Sequence, residues 1–513
     1  MRTLSSVQMV RGNPAGRKET QGTRGVEETD RGKYIGYFDC LRKDTSEREN
    51  LVAPSRLWVL GFFAGLLLIL PGIVPGQFVL AQSGPAQPQA QPQAQSPTRP
   101  QAQAGTSLPA SGQAYSLPPD KLAKAKTLNK IRLALDIGGS LWGLAFLGWL
   151  LASRVASQLE RWAWRNASRR WIQGLLFFLA FLVITALANL PLDAIGHAVS
   201  RHYGISVQGW AGWLADQAKA LGVSTIGVPV LLLFNWIVRR WPRRYWLGAW
   251  IAILPLMVVA TMGEPLLEPV FNKYEPLQKN HPGLVAQLER VVARTGTSIP
   301  PERMFLMKAS EKTNGLNAYV SGLGTTRRIV VWDTTAGRIP DDEILYIFGH
   351  ESGHYVLHHI VKGLIASAVF LFFVFAACAR LAEALVRRFG VRWGIERREN
   401  EPPVATRTGF VALILVFSVV MFLLEPMGNT LSRYFEHQAD VYGQEAIHGL
   451  VPDPQKTAVS SFNHLGEAWL EDPDPNPFVE FWLYSHPSVQ NRARFAEHYN
   501  PWANGGHGEF FQN

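Results

Sequence analysis

Six windows of the chain are apolar on every helical face: 133–153, 172–194, 222–238, 245–264, 363–386 and 408–425. Each approaches the roughly 20 residues that a helix needs to cross a bilayer. Pro229 and Pro255 interrupt two of them, which a membrane bundle tolerates. Arg and Trp flank the windows as at a membrane–water interface, a pattern that buried helices of a soluble core do not require. A further apolar run at 57–81 follows Arg56 and ends in small residues, as a secretory signal sequence or signal anchor does.

The polar stretches between these runs divide the rest. Residues 1–56 lack apolar periodicity and are expected to be a disordered extension, with translation starting near Leu51 or Val52 as one explanation of its length. Residues 82–114 alternate Pro, Gln and Ala, an extended linker with too little apolar surface to fold. A membrane domain of four helices is predicted over 115–264. Residues 265–362 are soluble in character: 281–296 has helical periodicity, and 304–307, 317–322 and 328–333 are short strands between turns. Two more membrane helices fill 363–425, and a second soluble part occupies 426–513. The expected fold is mainly α, a polytopic membrane helix bundle with a small α+β soluble domain.

Composition changes this picture little. The chain has 513 residues, of which 47% are hydrophobic, and a net charge of +10. The arginines cluster in loops, at 154–170, 239–244 and 386–407, and six alternating spans put all three on one side. The intervening loop 195–221 carries only Arg201 and Lys219. Positive charge so placed sets membrane orientation, with the three loops cytoplasmic and both soluble parts facing outward. A nucleic-acid partner is not expected. The expected setting is an integral multi-pass protein of a bacterial inner membrane. Cys40 and Cys378 lie in unlike surroundings, which excludes a disulfide framework or a cysteine metal site.

The candidate chemistry lies in Gly349-His350-Glu351-Ser352-Gly353-His354, just after the acidic helix start Asp341-Asp342-Glu343. Two histidines four residues apart share one helix face and can reach one metal ion, and Glu351 can take a proton from water. A hydrolytic zinc site needs a third ligand. Glu436, on a predicted helix with Asp440 one turn further, is the choice, with Asp440 orienting a ligand histidine or a substrate group. His486 and Arg492 are candidates to stabilise an oxyanion, and isolated surface roles compete for both. His358 and His359 read as packing or outer-shell residues. Asn317-Ala318-Tyr319 opens a strand that either pairs with an extended substrate or serves as an ordinary sheet strand.

These pieces together resemble the Ste24-type CAAX prenyl proteases, the M48 zinc metallopeptidases of membranes. The matching residues are Tyr115-Ser116-Leu117-Pro118-Pro119, Val270-Phe271-Asn272-Lys273-Tyr274-Glu275-Pro276-Leu277, Asn317-Ala318-Tyr319, Arg328 to Thr334, His350 to His354, Ser432-Arg433 with Glu436 and Ala439-Asp440, and Ser485-His486-Pro487. The resemblance spans 115–497 and implies a mainly α, polytopic membrane helix bundle enclosing a chamber, with a small α+β zincin-like catalytic domain. It implies one zinc on His350, His354 and Glu436, with Glu351 as catalytic base. It also implies a supporting or proton-donating role for Asp440 and oxyanion contacts from His486 and Arg492. A peptide or protein substrate and the lipid bilayer are then the partners. Eukaryotic members act on prenylated proteins of the cytosol. An outward site here points instead to turnover of exported or membrane proteins. The rival class is a non-catalytic membrane scaffold or transporter.

Overall fold

The computed structural model describes residues 114–322, 326–396 and 401–512, all within one compact unit, Trp58–Asn513. The expected extension, the signal-like run and all but residue 114 of the linker lie outside the described residues.

The order of elements begins with α1 (Pro119–Ala152), α2 (Val155–Arg165), α3 (Arg170–His202), α4 (Trp210–Ser224), α5 (Val228–Arg240) and α6 (Tyr245–Phe271). A soluble part follows, with β1 (Tyr274–Pro276), α7 (Pro282–Thr295), β2 (Met304–Met307), β3 (Ala318–Ser321), β4 (Arg328–Trp332) and α8 (Asp341–Val356). The chain closes with α9 (His359–Phe389), α10 (Arg407–Ile447), α11 (Pro454–Trp469), α12 (Pro477–Leu483) and α13 (Val489–His498). Six helical stretches among the described residues are long and apolar enough to cross a membrane: α1, α3, α4 joined to α5, the first part of α6, α9 and α10. This is a mainly helical, polytopic membrane bundle with a small mixed α/β subdomain.

The six apolar windows each fall within one of these helices, but their limits move. The third span starts at Trp210, because α4 runs through a 3₁₀ turn into α5. The 408–425 window does not end a helix. α10 continues through Pro426, and its 41 residues span about 60 Å at 1.5 Å per residue. One continuous helix therefore carries both a membrane span and the Glu436 region.

The three basic loops meet at one end of the bundle. Arg154 Nε donates to the Arg392 carbonyl at 2.9 Å. Glu401 takes Arg170 at 2.6 Å and Arg239 at 3.4 Å. Buried Glu160 caps α10 by accepting from the Thr408 N–H at 3.0 Å, its hydroxyl at 2.7 Å and the Arg407 N–H at 3.3 Å. A carboxylate on a helix N-terminus matches the helix dipole, and truncating one partner of such a buried pair costs about 3–5 kcal/mol.

At the other end, the sheet has the order β1-β2-β4-β3. β2 and β4 run parallel, and β1 and β3 flank them antiparallel. β3 is thus an edge strand. Under the sheet, α7 turns Leu284, Val285, Leu288 and Val291 inward against Met304, Leu306, Ile329 and Val331. Each such side chain contributes about 1.5–3 kcal/mol on burial. Pro282 opens α7, and Gly296, at φ +67°, ends it. α8 joins this core through Ile344, Leu345 and Phe348. Its first turn holds Asp341, Asp342 and Glu343, as the acidic start anticipated.

Buried Glu343 ties α8 to α11, accepting from Ser460 Oγ at 2.7 Å and pairing with His464 Nδ1 at 2.7 Å. The hydrogen bond to Glu343 holds the half-exposed His464 imidazolium above its ordinary range. A raised histidine stabilises fully below its unfolded value near 6.5, and loses that contribution as pH climbs through the folded value. Thermal melts of wild type and His464→Gln in detergent should therefore differ most below about pH 6.5 and converge as pH rises above it. An advantage of wild type that stays constant over that rise would show that the pair carries no proton linkage.

Candidate active site

Glycines decide how closely α8 and α10 cross. A Cβ on Gly443 would lie 2.8 Å from the His350 backbone nitrogen and 3.0 Å from its Cα. A Cβ on Gly349 would meet the Gly443 carbonyl at 3.1 Å, and one on Gly353 would meet Tyr442 Cβ at 3.0 Å. The helices thus pack backbone to backbone. On α8, Tyr346, His350 and His354 repeat every four residues; on α10, Glu436, Asp440 and Gly443 fall on the facing stripe.

Three potential metal-ligand groups converge at this crossing: His350, His354 and Glu436. His350 Nε2 and His354 Nε2 are 3.2 Å apart. Glu436 Oε2 is 3.4 Å from His350 Nε2, and Oε1 is 3.4 Å from His354 Nε2. Tetrahedral zinc with bonds of about 2.0–2.1 Å separates its ligand atoms by about 3.3 Å. The buried Glu436 Oε2 has no hydrogen-bond partner among the described residues. An unsatisfied carboxylate oxygen facing two ring nitrogens at this spacing fits a divalent cation with borderline ligand preference.

A second layer fixes the first. Asp440, 2% exposed, lies 2.9 Å from His350 Nδ1. The Nδ1–H donates to Asp440 and leaves Nε2 free to ligate, a proton placement read from the contacts. Arg492 grips the same carboxylate twice, Nη2 to Oδ1 at 2.6 Å and Nε to Oδ2 at 3.0 Å, and stacks over Phe462 at 4.6 Å. The Tyr346 hydroxyl donates to Asp440 at 3.4 Å. His354 has a different support: its Nδ1 lies 3.2 Å from His359 Nδ1, and His359 Nε2 lies 3.1 Å from Gln438 Oε1. His359 is buried and stacked on Phe435, while His358 adopts φ +58° at the turn that joins α8 to α9. Their outer-shell and packing assignments suit these positions.

The electrostatics separate the two histidines. Burial alone would depress His350; without a metal, its contacts with Asp440 and Glu436 outweigh that and push it up to about 10, so that a cation bound at Nε2 would displace a proton there. Burial and the neighbouring His350 push His354 down to about 3. Burial pushes Glu351 up to about 7, opposed in part by the charge on His350. The Val320 backbone in β3 also hydrogen-bonds Glu351, so the base stands against the edge strand.

The remaining candidates also gather here. His486 Nε2 approaches Glu436 Oε1 at 3.2 Å with over half its side chain exposed, and Arg492 Nη2 lies 3.6 Å from Glu436 Oε2. Arg492 is committed mainly to Asp440. Ala318 and Tyr319 sit in β3, and Asn317 just before it is pinned by Thr335, its N–H donating to Oγ1 at 2.8 Å. Tyr319 donates to Glu268 of α6 at 2.8 Å. Sequence reasoning did not single out Tyr346 or Gln438. Tyr346 had a signal, its place one turn before His350; Gln438 is set by contacts between elements.

Residues 278–500 match the family model for peptidase family M48, and residues 100–273 match the model described as the CAAX prenyl protease N-terminal region, five membrane helices. The chain is 34% identical to the uncharacterized metalloprotease YhfN of Bacillus subtilis over 385 residues, which is 74% of this chain and 86% of that protein. It is 26% identical to CAAX prenyl protease 1 of Saccharomyces cerevisiae over 336 residues, covering 62% and 71% of the two. Its fold superposes on the crystal structure of S. mikatae Ste24p with a TM-score of 0.64 at 20% identity, covering 86% of this chain and 99% of that one.

The glycine crossing gives a direct prediction. Gly443→Ala must push α8 from α10, costing about 1–3 kcal/mol of stability and loosening the ligand set. Gly428→Ala, on the same helix with open space around it, should leave stability unchanged or slightly raised. Thermal midpoints and bound metal per chain report both; equal behaviour of the two variants would sink the close-packing argument.

Proposed function

The chain belongs to peptidase family M48, and from that premise we propose that it is a zinc-dependent endopeptidase whose own residues divide the work as follows. The observation that supports this most is the spacing of His350 Nε2, His354 Nε2 and Glu436 at 3.2–3.4 Å beside Glu351. Those three side chains hold one zinc. A zinc ion bound there supplies Lewis acidity, lowering the pKa of water toward about 7 and polarising a carbonyl.

The extended substrate adds its backbone to the edge of β3 along Ala318 and Tyr319, which sets the scissile carbonyl beside Glu351. Asn317, whose own backbone is tied to Thr335 and Trp332, offers its side chain at the start of that edge. Glu351 takes the proton of the attacking water as the oxygen–carbon bond forms. It then delivers that proton to the amine nitrogen as the carbon–nitrogen bond breaks. Asp440 keeps the His350 ring in one tautomer and orientation, and Arg492 with Tyr346 keeps Asp440 ionised and fixed. His486, exposed on one side and at the metal cluster on the other, donates to the developing oxyanion.

Glu351→Gln should lower kcat by about 10²–10⁴-fold with bound zinc unchanged. Glu436→Ala should lose zinc, and a chelator should abolish wild-type activity. Cleavage of a casein or peptide substrate, with metal content read beside it, separates the two roles. Wild-type activity in Glu351→Gln would end this mechanism.

The contacts among the three basic loops support a common side for them, and the positive-inside rule makes that side the cytoplasm. The catalytic part then faces outward from a bacterial inner membrane. Its substrates are membrane or exported proteins instead of prenylated cytosolic ones. In a background free of Cys40 and Cys378, Asn504→Cys should react with a membrane-impermeant thiol reagent in intact spheroplasts. Arg243→Cys should react only after permeabilisation. The opposite pattern would place the site in the cytoplasm.

A further inference from the structure

The short helix α12 and the turn after it carry His486, and α10 holds both from beneath. Arg433 Nη1 donates to the Glu480 carbonyl at 3.1 Å, the Phe481 carbonyl at 3.3 Å and the Tyr484 carbonyl at 2.5 Å. These are carbonyls in the last turn of α12 and just beyond it, where a helix end favours a cation; the Glu480 carbonyl also accepts from the Tyr484 N–H at 3.2 Å. Arg433 Nη2 is fixed by Thr430 Oγ1 at 2.9 Å. One turn earlier on α10, Asn429 Nδ2 donates to the Trp482 carbonyl at 2.6 Å. The far end of the turn is tied back to α12, since Ser488 N–H donates to Glu480 Oε1 at 2.9 Å. His486 sits midway between these ties.

Arg433 stands three residues before Glu436, on the same face region of one continuous helix. The rod that carries Glu436 therefore also carries the donor group that fixes the backbone on which His486 rides. From this juxtaposition we propose that Arg433 is a positioning residue for the peptidase reaction, holding the 484–488 turn so that His486 meets the metal cluster. A guanidinium is suited to this because one planar group bonds several carbonyls at once, which an ammonium on a flexible stem does less well. Asn429 adds a second tie of the same kind. The inference rests on the role given to His486 under the proposed function.

The test is a double-mutant cycle on kcat with a peptide substrate, using Arg433→Gln, His486→Ala and the pair, with zinc content and thermal midpoint measured for each. His486→Ala should lower kcat by about 100-fold or more, and Arg433→Gln by about 10-fold or more, with zinc content unchanged in both. In the His486→Ala background, Arg433→Gln should change kcat by less than about twofold, because the group it positions is gone. If Arg433→Gln folds poorly, Asn429→Ala replaces it in the same cycle, with the same loss of effect expected. Equal factors in both backgrounds would show a merely structural arginine and overturn this inference alone. A His486→Ala variant with wild-type kcat would overturn the role of His486 and this inference with it.

Discussion

The α8–α10 crossing is the constraint on which the site depends. Two helices with side chains between them stand 8–10 Å apart, whereas here glycines let backbones touch. That contact puts Nε2 atoms from one helix within 3.4 Å of a carboxylate from the other. Glycine inside a helix is unfavourable by about 1 kcal/mol relative to alanine, so three at one crossing carry a cost in intrinsic stability. Packing around them offsets it: Tyr442, Ala446 and Ile447 on one side and Ile344, Leu345 and Phe348 on the other are buried in one core. The stability of the subdomain and the geometry of the cluster are thus properties of the same interface.

The membrane part serves that interface through continuity. α9 leaves α8 across only Leu357 and His358, and α10 returns as one rod of 41 residues. Its start is fixed at the basic end by Glu160, Thr406 and Arg407, and its last turns carry Glu436 and Asp440. The helix is uninterrupted between the capped start and the cluster, through Pro426. The kink expected of an interior proline does not end the helix here: α10 is assigned as a single helix from Arg407 to Ile447.

That continuity marks the boundary of what the chain reveals on inspection. His350, Glu351 and His354 were legible because a five-residue helical period encodes them completely. Glu436 and Asp440 were legible as a pair on one face, since i and i+4 must stack. The strands at 304–307 and 328–332 were legible from runs of branched and apolar residues between turns. By contrast, the end of the 408–425 window looked like the end of a helix, because polarity rises there while helicity does not. His359 and Gln438, 79 positions apart, meet only because α9 and α10 lie side by side. Arg433 lay inside a recognisable segment, yet its partners, the carbonyls of α12, leave no mark in side-chain pattern at all.

Charge completes the argument. Asp440 is fully engaged by Arg492, His350 and Tyr346, so its negative charge is balanced inside the protein. Glu436 is held less tightly: it is buried, its Oε2 lacks a hydrogen-bond partner among the described residues, and Arg492 Nη2 stands 3.6 Å from it, against 2.6 Å for the same nitrogen and Asp440. Leaving a carboxylate oxygen unsatisfied out of water costs several kcal/mol. Two carboxylates one turn apart on α10 thus differ, one hydrogen-bonded closely on both oxygens within the chain and one facing the two ring nitrogens of α8 at 3.4 Å. A fold that satisfies the first so thoroughly and turns the second toward the histidines has divided support from ligation along a single helix.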